Sequence, residues 1–365
     1  MNSTAKTIAV VGGGVAGLLA SITAASRGAH VILFEKMDRV GLKMGITGKG
    51  RCNLTNARPI DEFIGMTPGN GKFLYSVYSR FDNEKLLDLF HTWGLKTVVQ
   101  HGGRVFPSSE DAQEVRHLFM RKLKEYRVDV HLKEPVQHIL SRDEAVSAVV
   151  TERNTYAVDA VILCTGGKSY PRTGSTGDGY TLARELGHKV TTLRPVLIPF
   201  VTEESWCREL QGLSLRNVNL SVSAGGRRKA EAMGEMMFTH FGITGPIVLS
   251  LSDSVSLWLS RGYAVTAELD MKPALDQEKL DRRVLRDLEK YHLKQMAGAL
   301  QDLLPHRMGD VVLSLAGIPR DLPVAELTKG QRQSLVYTLK HMKLTISGTR
   351  PIEEAIVTGG GISVK

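Results

Sequence analysis

A glycine-rich segment close to the start of the chain has the residue types and the spacing of a phosphate-binding turn. Gly12, Gly14 and Gly17 form a GxGxxG pattern directly after the apolar run TIAVV at residues 7–11. Gly12 permits a tight turn, Gly14 lets the backbone approach a pyrophosphate, and Gly17 lets the following helix pack closely on the preceding strand. The N-terminus of that helix offers free N–H groups and a positive dipole end to phosphate oxygens. The pattern therefore predicts a dinucleotide-binding site.

The residues on both sides of these glycines predict the β–α–β unit that would hold them in place. The β-branched run 7–11 suits a buried parallel strand, the helix is expected to end near Ser26, and residues 30–34 (HVILF) predict a second strand. That strand leads to Glu35, whose carboxylate would hold a ribose hydroxyl pair and repel a 2′-phosphate. This order of elements indicates a Rossmann-type domain and disfavours NADP as the nucleotide bound by the turn.

Two further glycine-rich segments favour FAD over NAD. Residues 45–56 (GITGKGRCNLTN) follow the second strand, where a plain NAD domain would begin its next helix, and such a loop can wrap closely around a ligand. Residues 158–167 (VDAVILCTGG) predict an apolar strand that ends in Thr-Gly-Gly. Glycines just past the carboxyl end of a strand line the crevice in which open α/β sheets bind ligands. We therefore expect a flavin in that crevice.

The motif series of the chain resembles that of the BaiN/RdsA-type flavoproteins, also called the HI0933-like family. The series is GGGVAGLLA, EK, GITGKGRCNLTN, TGGKSYPRTGSTGDGY, FTHFGITGP and TGGGISVK, and it spans nearly the whole sequence. The RCN, TGSTGDG and THFGxTGP segments are far more specific than GxGxxG alone. The resemblance implies noncovalently bound FAD and a discontinuous Rossmann domain that is interrupted by an inserted region.

The resemblance also implies which residues contact the cofactor. It places the glycine turn at the pyrophosphate, residues 35 and 36 near the adenosine ribose, and residues 51–53 beside the flavin. The backbone of residue 136 would contact the adenine, and residues 165–167 would line the cleft, although packing at a strand end is the alternative role for these four. The candidate cofactor-binding residues are Gly12, Gly14, Val15, Ala16, Gly17, Glu35, Lys36, Lys43, Arg51, Cys52, Asn53, Val136, Thr165, Gly166, Gly167 and Asp178.

The pattern of the chain changes after residue 194. Alternating polar and apolar residues at 217–222 and around 263–269 predict antiparallel strands with one solvated face. Helical spacing within 277–304 and near 328–341 predicts two helical stretches. We therefore expect an α/β fold in three parts. These are a Rossmann-type FAD-binding domain of residues 1–194 and 346–365, an inserted β-rich subdomain of residues 195–275, and a helical cap of residues 276–345.

One histidine in the inserted region is a candidate catalytic residue. His240 lies in the FTHFGITGP segment, 238–246, which by resemblance returns to the flavin, and imidazole can donate or accept a proton near neutral pH. A structural hydrogen bond within the loop is the alternative role. The other histidines lack metal-binding spacing and the three cysteines form no CxxC pair, so we expect no metal site.

Composition limits the compartment and the partners. Three cysteines without a disulfide framework predict a reducing, cytoplasmic location. The apolar run 8–25 contains four glycines and is interpreted as strand, turn and helix, so no membrane association is expected. A net charge of +9 permits a nucleic-acid partner, although solubility alone also explains it. Basic clusters at 227–229 and 282–290 are either solvated faces or a surface for a large anionic substrate.

These observations predict an FAD-dependent oxidoreductase that acts on a small molecule or on RNA. The resemblance implies reduction of a carbon–carbon double bond, including that of a uridine in ribosomal RNA, with amine oxidation as an alternative. No second GxGxxG is present, so NAD(P)H would dock only transiently as the reductant. In the resembled family a further glycine-rich segment follows TGGGISVK, whereas this sequence stops at Lys365. A flavin-binding module with weakened binding or without turnover is therefore the second alternative.

Overall fold

The computed structural model describes residues 5–364, and the side chains of residues 227–229 lie outside that description. The basic cluster predicted at 227–229 is therefore outside the described side chains. The chain divides into two compact units, one made of the residues up to Leu193 and from Gly360 onward, the other of Arg194–Gly359.

The secondary structure is numbered in chain order within the described residues. The strands are β1 (Thr7–Val11), β2 (His30–Glu35), β3 (Thr55–Asn56), β4 (Thr97–Val99), β5 (Arg104–Pro107), β6 (Asp129–Leu132), β7 (Val136–Arg142), β8 (Ala145–Thr151), β9 (Thr155–Ala157), β10 (Ala160–Leu163), β11 (Arg194–Val196), β12 (Phe200–Thr202), β13 (Ser214–Ala224), β14 (Arg227–Thr239), β15 (Gly242–Thr244), β16 (Val265–Asp270), β17 (Met342–Thr349) and β18 (Val357–Gly359). The helices are α1 (Val15–Ser26), α2 (Ile60–Met66), α3 (Tyr75–Tyr78), α4 (Asn83–Thr92), α5 (Ala112–Glu125), α6 (Asp178–Glu185), α7 (Trp206–Glu209), α8 (Pro246–Ser260), α9 (Gln277–Glu289), α10 (Met296–Ala299), α11 (His306–Leu315) and α12 (Lys329–Lys340).

The centre of the first unit is a parallel sheet with the strand order β10-β1-β2-β6. The central strands β1 and β2 are largely buried, as their continuous apolar runs in the sequence predict, whereas β6 and β10 are only partly covered. Val10 and Leu33 belong to the core on the side of Leu18 in α1. Val11 and Phe34 belong to a second core, which also contains residues of the antiparallel β7-β8-β9 sheet. The predicted β1–α1–β2 unit is present, and the α/β Rossmann-type fold class is confirmed.

The centre of the second unit is a closed barrel with the order β12-β15-β14-β13-β16-β17. The alternation predicted at 217–222 lies within β13, where Val218, Leu220 and Val222 are buried. Strand β17 follows the helices in sequence and pairs with β12 and β16, so it closes the barrel. The boundary predicted between residues 345 and 346 therefore falls inside a barrel strand, because the apolar alternation of β17 continues through Ile346.

Of the two helical stretches predicted in the second unit, the first is interrupted and the second agrees with the structure. The stretch 277–304 contains two helices, α9 and α10, and Leu293 in the turn between them is 89% exposed. Asp276 caps α9 by accepting a hydrogen bond from the N–H of Lys279. The stretch near 328–341 forms α12, whose capping box joins Thr328 and Gln331. Within residues 5–364 we find no helix that is both long and apolar enough to cross a membrane.

Candidate functional site

The first unit contains a cavity of about 810 Å³ at the carboxyl ends of β1, β2 and β10. Cofactor sites in proteins occupy roughly 300–1,000 Å³. Open α/β sheets bind their ligands at this edge, because the turns that follow the strands present backbone N–H groups there. The cavity is thus in the place, and of the size, that a dinucleotide requires.

The glycines of the turn after β1 have two different roles, because Gly12 and Gly17 face protein atoms whereas Gly14 faces open space. A Cβ atom on Gly17 would lie 1.8 Å from the carbonyl oxygen of Gly12, so α1 can cross β1 only at a glycine. Gly12 has a φ of +108°, and a Cβ atom there would meet the carbonyl oxygen of Cys164 at 2.5 Å. A Cβ atom on Gly14 would meet no protein atom within 4 Å. The space over Gly14, at the N-terminus of α1, is therefore open to a phosphate group.

Glu35 at the end of β2 is a buried carboxylate on the cavity wall. Its Oε2 atom accepts a hydrogen bond of 2.7 Å from the N–H of Gly13, and its Oε1 atom accepts one of 2.8 Å from the N–H of Met37. These bonds orient the carboxylate and tie the glycine turn to β2. A carboxylate oxygen can accept more than one hydrogen bond, so Glu35 retains acceptor capacity for ribose hydroxyls.

Lys36 and Asp178 form an ion pair on the cavity wall beside Glu35. The Nζ atom of Lys36 lies 2.5 Å from Oδ2 of Asp178 and also donates to Oγ1 of Thr176. Burial alone would raise the pKa of Asp178, but the hydrogen bonds from Lys36 and Thr176 outweigh it and hold the pKa below its ordinary range. Asp178 begins α6, so the pair joins β2 to the turn-rich segment 173–179.

Lys43 is a second cation on the cavity wall. Its Nζ atom donates a hydrogen bond of 2.7 Å to the carbonyl oxygen of Ser169. Partial burial lowers the pKa of Lys43, because the charged ammonium loses hydration there. A phosphate or another anionic group bound in the cavity would favour the charged form.

The loop predicted at residues 45–56 begins with a tight set of turns at residues 44–50 and ends in β3. Gly48 has a φ of +57°, and a Cβ atom there would lie 2.7 Å from the ring of Phe106. Cys52 and Asn53 follow this turn and line the cavity. Burial raises the pKa of the Cys52 thiol to about 11, so the thiol is protonated at neutral pH and is a weak nucleophile.

Arg51 is directed differently from its two neighbours. Its guanidinium lies 4.4 Å from the centre of the Phe106 ring, and its NH1 atom bonds to Gln100 and Glu110. The residues that form the cavity wall include Cys52 and Asn53 but not Arg51. The structure therefore does not bring Arg51 to the place predicted beside the flavin, because a ring and a carboxylate hold its side chain elsewhere.

The end of β10 forms the opposite wall through Cys164, Thr165 and Gly166. Gly166 has a φ of +74°, which turns the chain sharply after the strand. Gly167, the next residue, is not part of the wall. Burial raises the pKa of the Cys164 thiol as well.

Glu134 joins the cavity wall near Val136, and no sequence motif singles it out. Its Oε1 atom accepts hydrogen bonds of 2.8 Å from the hydroxyls of Thr151 and Tyr156. Its Oε2 atom lies 2.9 Å from Nδ1 of His131. Burial alone would raise the pKa of Glu134, yet the bonds from His131, Thr151 and Tyr156 lower it. This network fixes the backbone of residues 134–136 at the cavity.

Most of the candidate cofactor-binding residues come together at this one cavity. The candidates in its wall are Gly12, Gly14, Val15, Ala16, Glu35, Lys36, Lys43, Cys52, Asn53, Val136, Thr165, Gly166 and Asp178. The candidates outside the wall are Gly17, Arg51 and Gly167. Gly17 supports the site through the close crossing of α1 and β1.

An apolar part of the wall was missed in the sequence. It consists of Met44, Leu54, Leu86, Phe90 and Phe119. Leu86 and Phe90 are four residues apart on α4, which is helical spacing. That spacing predicts one buried face, but it does not distinguish a core from a ligand site.

His240 belongs to the second unit, in the turn between β14 and β15, and its side chain is exposed. Its ring centre lies 4.9 Å from that of Phe241, in an edge-to-face arrangement. The guanidinium of Arg350 lies over the Phe241 ring, 4.9 Å from the ring centre. Across the part of the chain that the structure describes, we find no group of three or more His, Cys, Asp and Glu residues that could hold a metal ion.

The parallel sheet, the glycine turn and the cavity define a Rossmann-type dinucleotide-binding protein. The residues present fit FAD, because the open space over Gly14 suits a pyrophosphate, Glu35 suits a ribose, and an apolar wall suits a flat ring. The chain belongs to the family described as "HI0933-like protein Rossmann domain", whose model matches residues 6–365. The predicted family is confirmed.

Curated relatives match over most of their length. The 3-dehydro-bile acid delta(4,6)-reductase of Clostridium scindens is 29% identical over 97% of this chain and 86% of its own. A ribosomal RNA dihydrouridine synthase of Haemophilus influenzae is 28% identical over 98% of this chain and 86% of its own. A solved structure, 3-ketosteroid-delta4-(5alpha)-dehydrogenase from Rhodococcus jostii RHA1, is 14% identical over 99% of this chain and 86% of that chain, with a TM-score of 0.45. The protein is an FAD-dependent oxidoreductase, and the predicted enzyme class and cofactor are confirmed.

Proposed function

We propose that this enzyme uses NAD(P)H to reduce a carbon–carbon double bond, and that its substrate is a uridine base in ribosomal RNA. The observation that carries the proposal is the pair of relatives, whose names describe a reductase of ring double bonds and a synthase of dihydrouridine. Both names describe the addition of two hydrogens across a double bond. They favour reduction over the amine oxidation considered from the sequence.

The polar wall of the cavity would hold the nucleotide part of FAD. The N-terminus of α1, beginning at Val15 and Ala16, offers N–H groups to the pyrophosphate over Gly14. Glu35 would accept the ribose hydroxyls, and Lys43 would face an anionic part of the cofactor. The backbone at Val136, held by the Glu134 network, would contact the adenine.

The apolar wall would hold the flavin ring and exclude water from it. When bound, FAD accepts a hydride from NAD(P)H and delivers a hydride to a substrate carbon. The overall reaction consumes one NAD(P)H and one proton and adds two hydrogens across the double bond. We propose transient docking of NAD(P)H, because the sequence has one GxGxxG and that turn serves FAD.

His240 is the proposed donor of the proton to the second carbon. Its imidazole is exposed, and among the described residues it contacts the Phe241 ring and makes no side-chain hydrogen bond, so its nitrogens can reach a substrate. A His240→Gln variant keeps a hydrogen-bond donor but cannot act as an acid near neutral pH. We expect this variant to bind FAD and to be reduced by NAD(P)H as the wild type is, with slower reoxidation by substrate.

The charge of the chain suits RNA as the substrate, because RNA is a polyanion. A net charge of +9 and a pI near 9.4 attract a polyanion without specific contacts. A cytoplasmic location is part of the same proposal, because ribosomal RNA is found there. The competing substrate is a small unsaturated ketone of the kind that the Clostridium relative's name describes.

The direct test is a two-stage reduction of the FAD-loaded protein. NADH or NADPH is added without oxygen, and loss of the flavin absorption band is followed. The reduced protein is then mixed either with ribosomal RNA that lacks dihydrouridine or with an unsaturated steroid ketone, and return of the band is timed. The RNA product is analysed for dihydrouridine.

Fast reoxidation by RNA, with formation of dihydrouridine, is the expected result. Reoxidation by the ketone alone would overturn RNA as the substrate but keep double-bond reduction. A flavin that NAD(P)H does not reduce would overturn the proposed electron donor. A protein that binds FAD but transfers electrons to neither substrate would support the module without turnover.

A further inference from the structure

Residues 57–82, here called the clamped segment, leave the antiparallel β3-β5-β4 sheet and return to α4 through one buried clamp. The side-chain amide of Asn83 donates hydrogen bonds of 2.8 Å to the carbonyl of Asn56 and 3.0 Å to the carbonyl of Arg58. Asn83 is 6% exposed, so the clamp is shielded from water. The clamp is next to the cavity, because Leu54 before the segment and Leu86 after it both line the wall.

The second half of the clamped segment exposes apolar side chains in a row. Residues 71–81 form consecutive helical turns, and Phe73, Val77 and Phe81 follow one another at intervals of four. Their exposed fractions are 54%, 48% and 38%. Residues four apart lie on one side of a helix, so these three form one stripe. Tyr75, at 53% exposure, adds another exposed ring.

A basic row lies beside this stripe. Lys72 and Arg80 are both exposed and are eight residues apart, so they occupy the same side of the helical turns. Residues 67–81 contain these two cations and no acidic residue. Among the described residues, no ion pair includes either cation. The surface therefore presents exposed rings beside two cations that form no ion pair with the described part of the chain.

Contacts with α2 hold this surface in place and leave its apolar stripe exposed. A Cβ atom on Gly71 would lie 2.5 Å from the carbonyl oxygen of Ile64, which brings the exposed helical turns close to α2. Tyr78 packs edge-to-face on Phe63 of α2, with ring centres 6.0 Å apart. Tyr78 is thus an anchor, while Phe73 and Phe81 remain available. Exposed apolar patches of this kind mark interaction sites in soluble proteins.

We propose that the clamped segment binds single-stranded RNA beside the flavin cavity, and this inference rests on the proposed function. Rings that alternate with cations are the combination that binds single strands, because bases stack on the rings and phosphates pair with the cations. The rise of a helix places Phe73 and Phe81 roughly 12 Å apart, so each ring would stack on a different base. The segment would hold nucleotides that flank the reduced uridine.

The test measures RNA binding without turnover. A fluorescein-labelled single-stranded RNA of mixed sequence is titrated with the oxidised, FAD-loaded protein, and anisotropy gives the dissociation constant. Alanine substitution of a stacking ring weakens binding about 5- to 150-fold per base. We therefore expect Phe73→Ala with Phe81→Ala to weaken binding at least about tenfold, and Phe73→Tyr with Phe81→Tyr to restore it.

The matched control is Tyr263→Ala, because Tyr263 is 52% exposed and belongs to the second unit. This variant should bind RNA as tightly as the wild type. Replacement of Lys72 and Arg80 by Gln should lower the slope of log affinity against log salt by about 0.7 for each lost phosphate contact. The flavin content of every variant is measured from its visible spectrum, so that a folding defect is recognised.

Three outcomes would overturn the inference. If the ring variant binds RNA as the wild type does while dihydrouridine still forms, RNA is the substrate but the clamped segment does not hold it. If the wild type binds no RNA and only the ketone reoxidises the flavin, the proposed substrate fails together with the inference. If the ring variant changes only sedimentation from dimer to monomer, the stripe binds a second copy of the chain.

Discussion

The two walls of the cavity are built in different ways. The polar wall comes from turns whose geometry is set by neighbouring residues, as in the bond from the N–H of Gly13 to Glu35. The apolar wall comes from distant elements, with Leu54 after the 44–50 turns, Phe90 on α4 and Phe119 on α5. The difference teaches that the polar wall depends on local backbone geometry, whereas the apolar wall is also part of the hydrophobic core of the first unit. Variants in the two walls should therefore fail in different ways.

The largest effect is expected in the apolar wall. Phe90 is 3% exposed and packs edge-to-face on Phe119, with ring centres 5.9 Å apart. Phe90→Ala would leave a void and lose these contacts, so we expect the free energy of unfolding to fall by about 3–5 kcal/mol. Chemical denaturation of the apoprotein measures this. An unchanged unfolding midpoint would show that the wall is not part of the core.

The next effect separates cofactor binding from folding. Gly14→Val introduces a side chain where no protein atom lies within 4 Å, so the apoprotein should keep nearly its full stability. The side chain would occupy the place of the pyrophosphate, and we expect FAD affinity to fall at least about 100-fold, or about 2.7 kcal/mol. Equilibrium dialysis against FAD measures the change. Glu35→Ala should only weaken binding, and full flavin occupancy in Gly14→Val would mean that the phosphates bind elsewhere.

A third variant, in the same glycine turn, is expected to lower protein stability and not to block FAD binding directly. Gly17 belongs to the glycine turn, but a Cβ atom there would clash with Gly12 inside the protein. Gly17→Ala should therefore lower the free energy of unfolding by about 1–3 kcal/mol, which is the usual cost of overpacking. Thermal unfolding with and without FAD distinguishes this from Gly14→Val. A stability equal to wild type would contradict the close crossing of α1 and β1.

The smallest effect concerns pH and the polar wall. The folded pKa of Asp178 is held below its ordinary value, so the ion pair with Lys36 stabilises the fold above that ordinary value, near about pH 4. This contribution is lost as the pH falls through the lower, folded pKa. Asp178 is partly exposed, so we expect the ion pair to contribute less than about 1 kcal/mol to the free energy of unfolding. The unfolding midpoints of wild type and Asp178→Asn should differ at pH 6 and converge as the pH falls below about 4.

The residues 7–35 show how much of the fold could be predicted. The bounds predicted for the first strand and the first helix agree with β1 and α1, because a parallel strand, a glycine turn and a helix each depend on neighbouring residues. The family resemblance predicts that Arg51, Cys52 and Asn53 lie beside the flavin, and Cys52 and Asn53 line the cavity. Arg51 lies outside the cavity wall, because Phe106 and Glu110, more than fifty residues away in the sequence, set the direction of its side chain.

The second unit shows what local patterns leave open. Alternation identified the strands at β13 and β16, but it did not show that β17 pairs with both β12 and β16 to close a barrel. The basic residues of α9 were compatible with a surface for an anionic substrate. In the structure, Arg283 forms an ion pair with Asp287 of the same helix. Pairing partners depend on the path of the whole chain, which short-range periodicity does not contain.

The sequence by itself determined the nucleotide-binding turn, because glycine spacing and strand ends act through local backbone geometry. Its motif series also determined the family, and through that resemblance the class of chemistry. The tertiary structure decided which side chains share the cavity, that Gly14 faces open space while Gly17 faces protein, and that Phe73, Val77 and Phe81 remain exposed beside Lys72 and Arg80. These outcomes depend on contacts between residues far apart in the chain. Such contacts exist only once packing has chosen among the partners that the sequence permits.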